Sequence, residues 1–420
     1  MYGTEMDLAE TIEALGGKLY LVGGAVRDSL LGLPAHDFDF LVTGVPADSL
    51  PFERVVGNTF PVFLVEVSGR VCELALARSE RKEGTGHKGF EFFTDPSLTV
   101  EDDLYRRDIT INTIALDLGT GEYVSPYGGL EDLEAGIIRH TSPAFAEDPL
   151  RVLRVARFAA RFGFKVAPET LALMYEMRGE LSSLPAERVW AELRKVLDCA
   201  RPDIFFRVLE QAAILDVLFP EISALNVPDR HDGTSFEHTM RAIAAAETPM
   251  ERWGCLCHDF GKGVTDPTMH PRHHRHDELG VQVVQEFCRR LRIPNEYRDF
   301  GILCAGEHMR MQKILTMRPG KALRLLLSLG KYADDFCRVV YLENISSDAS
   351  DNDQVIEQHC QTMALLQLAY DVRESVTGRD LLNNGFKSGP HLGEVLEQRR
   401  IEAFVRRRLE WKSESPLVKP

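Results

Sequence analysis

Residues 19–32, LYLVGGAVRDSLLG, followed at 36–42 by HDFDFLV, decide how the front of this chain folds. The apolar run 19–22 predicts a strand, Gly23 and Gly24 a tight turn, and the residues from Ala25 onward a helix with Arg27 and Asp28 in its first turn. Paired glycines let backbone N–H groups approach a phosphate closely, and a helix N-terminus adds partial positive charge. An ordinary strand-to-helix connection would look the same. In HDFDFLV the alternation predicts a second strand, with Asp37 and Asp39 leaving one face while Phe38 and Phe40 leave the other. Two like charges side by side repel unless a cation sits between them. Hard divalent ions such as Mg²⁺ prefer carboxylate oxygens and keep positions open for phosphates, so a metal site competes here with a solvated strand edge.

Outward from this segment, residues 18–140 alternate short β-rich runs with Gly- and Asp-rich turns, which predicts an α/β domain over 1–140. From about 145 the period becomes helical almost throughout. Residues 141–228 read as one helical unit. The stretch 229–278 gathers His231, His238, His258, His270, His273, His274 and His276, seven of the chain's 13 histidines, so a further helical unit is placed at 229–350 and a helical tail at 351–420. The predicted fold class is α+β. A length of 420 residues fits several domains, and 44% hydrophobic with 27% charged residues is ordinary globular usage. Lys and Arg total 49 against 64 Asp and Glu, a net charge of -15. That excludes a uniformly basic nucleic-acid coat and affinity for an anionic membrane, so any phosphate site must be local. Eight dispersed cysteines with no CxxC pair, an acidic N-terminus and no long apolar run predict a soluble intracellular protein with reduced thiols.

The local positive charge is at 151–165, RVLRVARFAARFGFK, with Arg151, Arg154, Arg157, Arg161 and Lys165 and no acid. On one helix these five fall within an arc of about 120°. A solvated basic face is the plain reading, and an anionic-ligand site the sharper one. Glu147 and Asp148 are expected to begin that helix, with Asp148 and Arg151 neighbours at i, i+3. A carboxylate beside a guanidinium matches the Watson–Crick edges of cytosine and adenine, whereas uracil and guanine show the reverse polarity. A helix-capping acid with a surface ion pair is the alternative. Glu73, in ELALA, is either a third carboxylate near Asp37 and Asp39 or an edge-strand residue. The segment ARSERKEGTGHKGF, residues 77–90, is expected to be a mobile loop.

In order and spacing, GGAVRDSLLG, DFDF, RRDITINTIAL and EDPLRVLRVARFAARFGF resemble the class II tRNA nucleotidyltransferase and poly(A) polymerase family. The resemblance implies a nucleotidyltransferase head of DNA polymerase β type, then an all-α neck and body. It implies Mg²⁺ on Asp37 and Asp39 as the catalytic carboxylates, and an incoming nucleotide on Gly24, Arg27, Arg107, Asp148, Arg151, Arg154 and Arg157. Its implied substrates are a tRNA 3′ end, CTP and ATP, with no DNA or membrane partner, in a monomer or homodimer. Addition of CCA, addition of A alone and poly(A) synthesis are all compatible with these motifs.

A second constellation follows. His238 in FEHTMRAI, His258 and Asp259 in RWGCLCHDFGK, and Asp348 in NISSDASD resemble the HD phosphohydrolase superfamily. That resemblance implies an α-helical HD domain with Ni²⁺ or another divalent transition metal and phosphatase, 2′,3′-cyclic phosphodiesterase and 2′-nucleotidase activity. His276 and His308 lie between these residues and could complete a two-metal version or stand in a polar loop. Cys255 and Cys257 read as core thiols. A phosphohydrolase with no polymerase function is the rival from another class.

Overall fold

The computed structural model describes residues 3–414 apart from 36, 53, 57–60, 83–89, 231–232 and 349–350. The chain divides into two compact units, one formed by residues 1–192 and 199–217, the other by residues 193–198 and 218–420.

The first unit is built on a seven-stranded sheet of order β3-β4-β5-β2-β1-β8-β9. Its strands are β1 (Lys18–Val22), β2 (Asp39–Thr43), β3 (Arg54–Val56), β4 (Pro61–Val67), β5 (Arg70–Leu76), β8 (Ala115–Asp117) and β9 (Tyr123–Val124), while β6 (Arg78–Lys82) and β7 (Phe90–Thr94) form a separate hairpin. The period-2 pattern decides which side chains go where. Phe40, Val42, Leu74 and Leu76 join Leu8, Ile12 and Leu19 in one apolar cluster, while Leu41, Tyr20 and Val22 join Val100, Leu104 and Ala115 in another. β2 runs antiparallel to β1 with Val22 opposite Asp39, and parallel to β5 with Asp39 opposite Glu73. The register therefore sets Asp39 beside the strand end that leads into Gly23 and Gly24.

Helix α1 (Gly24–Leu30) follows that turn, and Gly23 at φ 71° takes a backbone conformation that L side chains rarely adopt. Helix α2 (Val100–Tyr105) starts at a capping box from Thr99 to Asp102. Helix α3 (Leu150–Phe162) carries the arginine series and stops at Gly163, φ 71°. The stop corrects the expected reach of the basic helix, because Lys165 lies beyond it in a short strand paired with Ile137 and Ile138. Asp148 also lies outside the helix, in extended backbone before Pro149. Further along, after two short helices, comes helix α4 (Ala186–Val196). The expected loop at 77–90 is in part the flank of the β6–β7 hairpin, and 83–89 lies outside the described residues.

The second unit is helical. Helices α5 (Ser235–Ala245), α6 (Pro249–Cys257), α7 (His276–Arg290), α8 (Asn295–Met311) and α9 (Ala333–Ile345) pack around Phe236, Trp253, Phe260, Phe287, Phe300 and Phe336, all fully buried. Cys255, Cys257 and Cys304 are fully buried there, and burial pushes their thiols well above the usual range, as core thiols require. Among the described residues no helix is long and apolar enough to cross a membrane.

Candidate active sites

In the first unit a cavity of about 570 Å³ opens where Gly23 and Gly24 meet Asp39 and α3. Nine arginines line it, Arg27, Arg78, Arg106, Arg107, Arg151, Arg154, Arg157, Arg161 and Arg188, against the acids Asp39, Asp108 and Asp148. An acidic chain thus concentrates positive charge in one concavity, where low-dielectric walls focus its field.

Most of these guanidinium groups are held by a partner from elsewhere in the chain. Arg107 pairs with buried Asp103 at 3.1 Å and stands close to the turn, since a Cβ on Gly23 would lie 2.7 Å from its Nη1. Arg154 donates to Asp108 at 2.7 Å, Arg161 to Asp28 at 2.8 Å, and Arg157 to Glu192 of α4 at 2.5 Å. Arg27 is 3% exposed, donates to Asp28 and Asn112, and lies over the rings of Phe158 and Phe162. Its donors are therefore largely spent on the fold, so it braces the cavity wall more than it offers free donors. Burial acts to raise the carboxyl pKa of Asp103 and Asp108, but their arginines outweigh it and hold both below the usual range.

The pair expected at Asp148 and Arg151 takes another form. Asp148 accepts from Leu150 N–H at 3.0 Å and from Arg188 of α4 at 2.9 Å, while Arg151 donates to the carbonyl of Ala144 at 2.7 Å. The i, i+3 geometry fails because Asp148 precedes the helix. Arg188 and Glu192 were missed by reading the sequence. They stand four apart in AERVWAEL, a spacing that suggests a mutual surface pair, yet each reaches back to the α3 region.

Asp39 is an exposed residue of the cavity lining, and Asp37 precedes the strand and is exposed. Although solvent reaches Asp39, the protein crowded around it in the cavity raises its carboxyl pKa by desolvation, opposed by Arg107 and reinforced by the like charges of Glu73 and Asp37. Glu73 is not on an edge strand, because β5 lies between β4 and β2. Of these three carboxylates only Asp39 lines the cavity, and among the described residues they do not converge as a ready-made metal cluster.

The second unit holds a different site, a cavity of about 330 Å³ lined by His238, Asp259, Lys262, His276, His308 and Glu343 among others. Two groups of ligand-type atoms lie within 4.8 Å of one another: His238, His258 and Glu343 in one, Asp259, His276 and His308 in the other. His258 caps α6, His276 opens α7, His308 sits in the last turns of α8 and Glu343 in α9. The Nδ1 atoms of His258, His276 and His308 contact the carbonyl oxygens of Cys255, His273 and Cys304 at 2.7, 2.8 and 2.9 Å. A carbonyl only accepts, so each ring carries a proton on Nδ1 and turns Nε2 inward, the orientation a metal ligand needs. The buried atoms His258 Nε2, Asp259 Oδ1 and Glu343 Oε2 have no hydrogen-bond partner among the described residues. Burial alone would lower the pKa of His258, but the Asp259 carboxylate raises it to about 9. Lys262 lies 2.7 Å from Asp229 and 2.8 Å from Asp259. Gly261 has no room for a side chain, since its Cβ would lie 1.8 Å from the His276 carbonyl oxygen.

Asp348, expected as the downstream ligand, is elsewhere: its carboxylate is 64% exposed and pairs with Arg241 at 3.5 Å. α9 ends at Ile345, so Asp348 falls beyond the helix that points Glu343 into the cavity. Glu343, a buried acid within VVYLEN, is the carboxylate the structure brings to His238 and His258.

Family comparison bears on the first unit. The Poly A polymerase head domain family matches residues 19–139, and the family described as the probable RNA and SrmB-binding site of polymerase A matches 163–225. Residues 19–139 and 163–225 thus match the head and RNA-binding families of poly(A) polymerases. The fold is similar to that of solved CCA-adding enzymes. The Bacillus stearothermophilus CCA-adding enzyme in complex with CTP is 23% identical, with 98% of each chain covered and a TM-score of 0.63. A CCA-adding enzyme in an apo form is 22% identical, with 98% of this chain and 94% of that one covered and a TM-score of 0.66. The Thermotoga maritima CCA-adding enzyme complexed with tRNA is 20% identical, with 96% and 94% covered and a TM-score of 0.63. Gly23, Gly24, Asp39 and Arg107 of the arginine cavity fall within the first of these matches and Arg188 within the second, while Asp148 to Arg161 lie between them.

Proposed function

We propose that this protein adds CCA to the 3′ end of tRNA from CTP and ATP, without a nucleic-acid template. The observation that carries this reading is the arginine cavity, which places a fixed carboxylate, Asp148, among guanidinium donors and across from Asp39 and the Gly23–Gly24 turn. Gly24, Arg107 and Arg154 bind the triphosphate of the incoming nucleotide. Asp148 accepts the exocyclic amine of cytosine or adenine, and Arg151 donates to the adjacent ring nitrogen once released from Ala144. Arg188 donates to Asp148 and fixes the plane of its carboxylate. Uracil and guanine would set carbonyl against carboxylate and N–H against guanidinium, so the same pair rejects them. Asp37 and Asp39 would hold Mg²⁺, which would lower the pKa of the attacking 3′-hydroxyl and stabilise the leaving pyrophosphate. Arg157 and Arg27 brace the cavity wall.

The test offers tRNA transcripts ending at the discriminator base, at C and at CC, plus an unrelated RNA, with each labelled nucleotide in turn. Addition of CCA to tRNA alone is expected. Addition of A alone to tRNA ending in CC supports an A-adding enzyme, and A addition to every RNA supports a poly(A) polymerase.

The inward-facing histidines favour a second activity, metal-dependent hydrolysis of phosphate esters in the helical unit. His238, His258 and Glu343 with Asp259 would hold a divalent transition metal such as Ni²⁺, which imidazole and carboxylate donors suit. Phosphatase, 2′,3′-cyclic phosphodiesterase and 2′-nucleotidase assays on the purified chain test it.

A further inference from the structure

Six side chains in the wall of the arginine cavity form one unbroken series of hydrogen bonds. Arg161 donates to Asp28 Oδ2 at 2.8 Å, and Arg27 donates to the other oxygen of Asp28 from Nε at 2.9 Å and Nη2 at 2.7 Å. Nη1 of Arg27 donates in turn to the side-chain oxygen of Asn112, whose Nδ2 donates to Asp108 Oδ1 at 2.8 Å. Arg154 ends the series on Asp108 Oδ2 at 2.7 Å. The inner members Arg27, Asp28, Asn112 and Asp108 are 3 to 7% exposed, whereas the side chains of Arg154 and Arg161 are 34% and 38% exposed. These two arginines stand about two turns apart on one face of α3, so the helix itself joins the ends.

Asn112 is the member that this pattern cannot exchange. A guanidinium only donates and a carboxylate only accepts, so the group between Arg27 and Asp108 must accept on one side and donate on the other. An amide does both. A carboxylate there would face Asp108, a cation would face Arg27, and an apolar side chain would strand a buried donor and a buried acceptor. The series is also tied to the glycine turn, because Arg27 N–H donates to the Gly23 carbonyl at 3.1 Å and Gly23 N–H to the Ile114 carbonyl at 3.4 Å.

We propose that Asn112 is a positioning residue for nucleotide addition: through Asp108 and Arg27 it fixes Arg154 relative to the Gly23–Gly24 turn, so that both meet one triphosphate at a set separation. The proposal rests on reading the arginine cavity as the nucleotide site. Asn112 acts on the phosphate end and not on the base, so its contribution is the same for CTP and ATP, and base selection stays with Asp148 and Arg151.

The test places Asn112→Leu, close in size and without polarity, and Asn112→Asp, which sets carboxylate against carboxylate, in the full chain. Binding of inorganic tripolyphosphate with Mg²⁺ is measured by calorimetry, and kcat and KM are measured for CTP and ATP on tRNA lacking CCA and on tRNA ending in CC. Both variants should bind tripolyphosphate roughly 10- to 100-fold more weakly and lose the same factor in kcat/KM for both nucleotides, because a small misplacement of a binding group costs rate on that scale. The KM for tRNA and the preference for CTP and ATP over UTP and GTP should not move. Unchanged tripolyphosphate affinity in variants that are folded by circular dichroism overturns the proposal. A loss that differs between CTP and ATP, or an altered base preference, also overturns it and places Asn112 at the base. Asn112→Ser keeps a shorter group that donates and accepts, should show a smaller loss, and decides on the same readouts if the other two variants do not fold. An unsubstituted chain that binds tripolyphosphate and adds no nucleotide refutes the nucleotidyltransferase reading alone, and the tripolyphosphate comparison still decides the role of Asn112. An unsubstituted chain that binds no tripolyphosphate overturns both.

Discussion

The arginine cavity and the histidine cavity both suit phosphate chemistry, and they are built on opposite principles. In the first, Arg107, Arg154, Arg157, Arg161 and Arg188 each rest on an acid, so positive charge is oriented before any nucleotide arrives. In the second, Nε2 atoms and carboxylate oxygens converge with few donors to satisfy them. Pairing therefore differs between the two cavities, near-complete around the arginines and sparse around the histidine and carboxylate atoms.

The largest expected effect would separate the two regions outright. Asp39→Ala should reduce nucleotide addition roughly a thousandfold or more while sparing phosphate-ester hydrolysis, and Asp259→Ala should do the reverse. Parallel loss of both activities in either variant would break the comparison. Chelation sharpens it next: Mg²⁺ added back should restore nucleotide addition, and a transition metal should be needed for hydrolysis, because oxygen-only and imidazole-rich sites select different ions.

Smaller effects probe the paired design. Glu192→Ala leaves the buried Arg157 guanidinium without its carboxylate and should destabilise the first unit by roughly 3–5 kcal/mol, read from denaturant titration. No loss of stability would show that Arg157 is free to meet the nucleotide. Arg188→Ala should lower discrimination of CTP and ATP against UTP and GTP by about 10- to 100-fold. An unchanged ratio with a raised KM for all four would assign Arg188 to general binding. The smallest effect concerns acid. Asp103 and Asp108 titrate below their unfolded values, so the stability they contribute is fully present above about pH 3.9 and is lost as pH falls through their depressed pKa values. Asp103→Asn should be less stable at neutral pH and should flatten that acid limb.

Much of the fold was legible because its signals are local. Gly23 at positive φ, the alternation around Asp39 and the apolar period of α3 each follow from a few neighbouring residues. The arginine series was legible as charge without acids, though Gly163 ends its helix before Lys165. What escaped depends on pairing between distant segments. Arg188 and Glu192 look like partners of each other, and only tertiary packing shows Asp148 and Arg157 in those roles. The resemblance points to Asp348, in DASD, whereas Glu343, a single Glu inside an apolar helix, gives no sequence cue to the direction it faces.

One helical turn of α4 holds both the residue that orients Asp148 and the residue that anchors Arg157. Fidelity and fold integrity therefore share a mechanical support, and loosening of that turn on warming should raise the error rate of nucleotide choice before the protein melts.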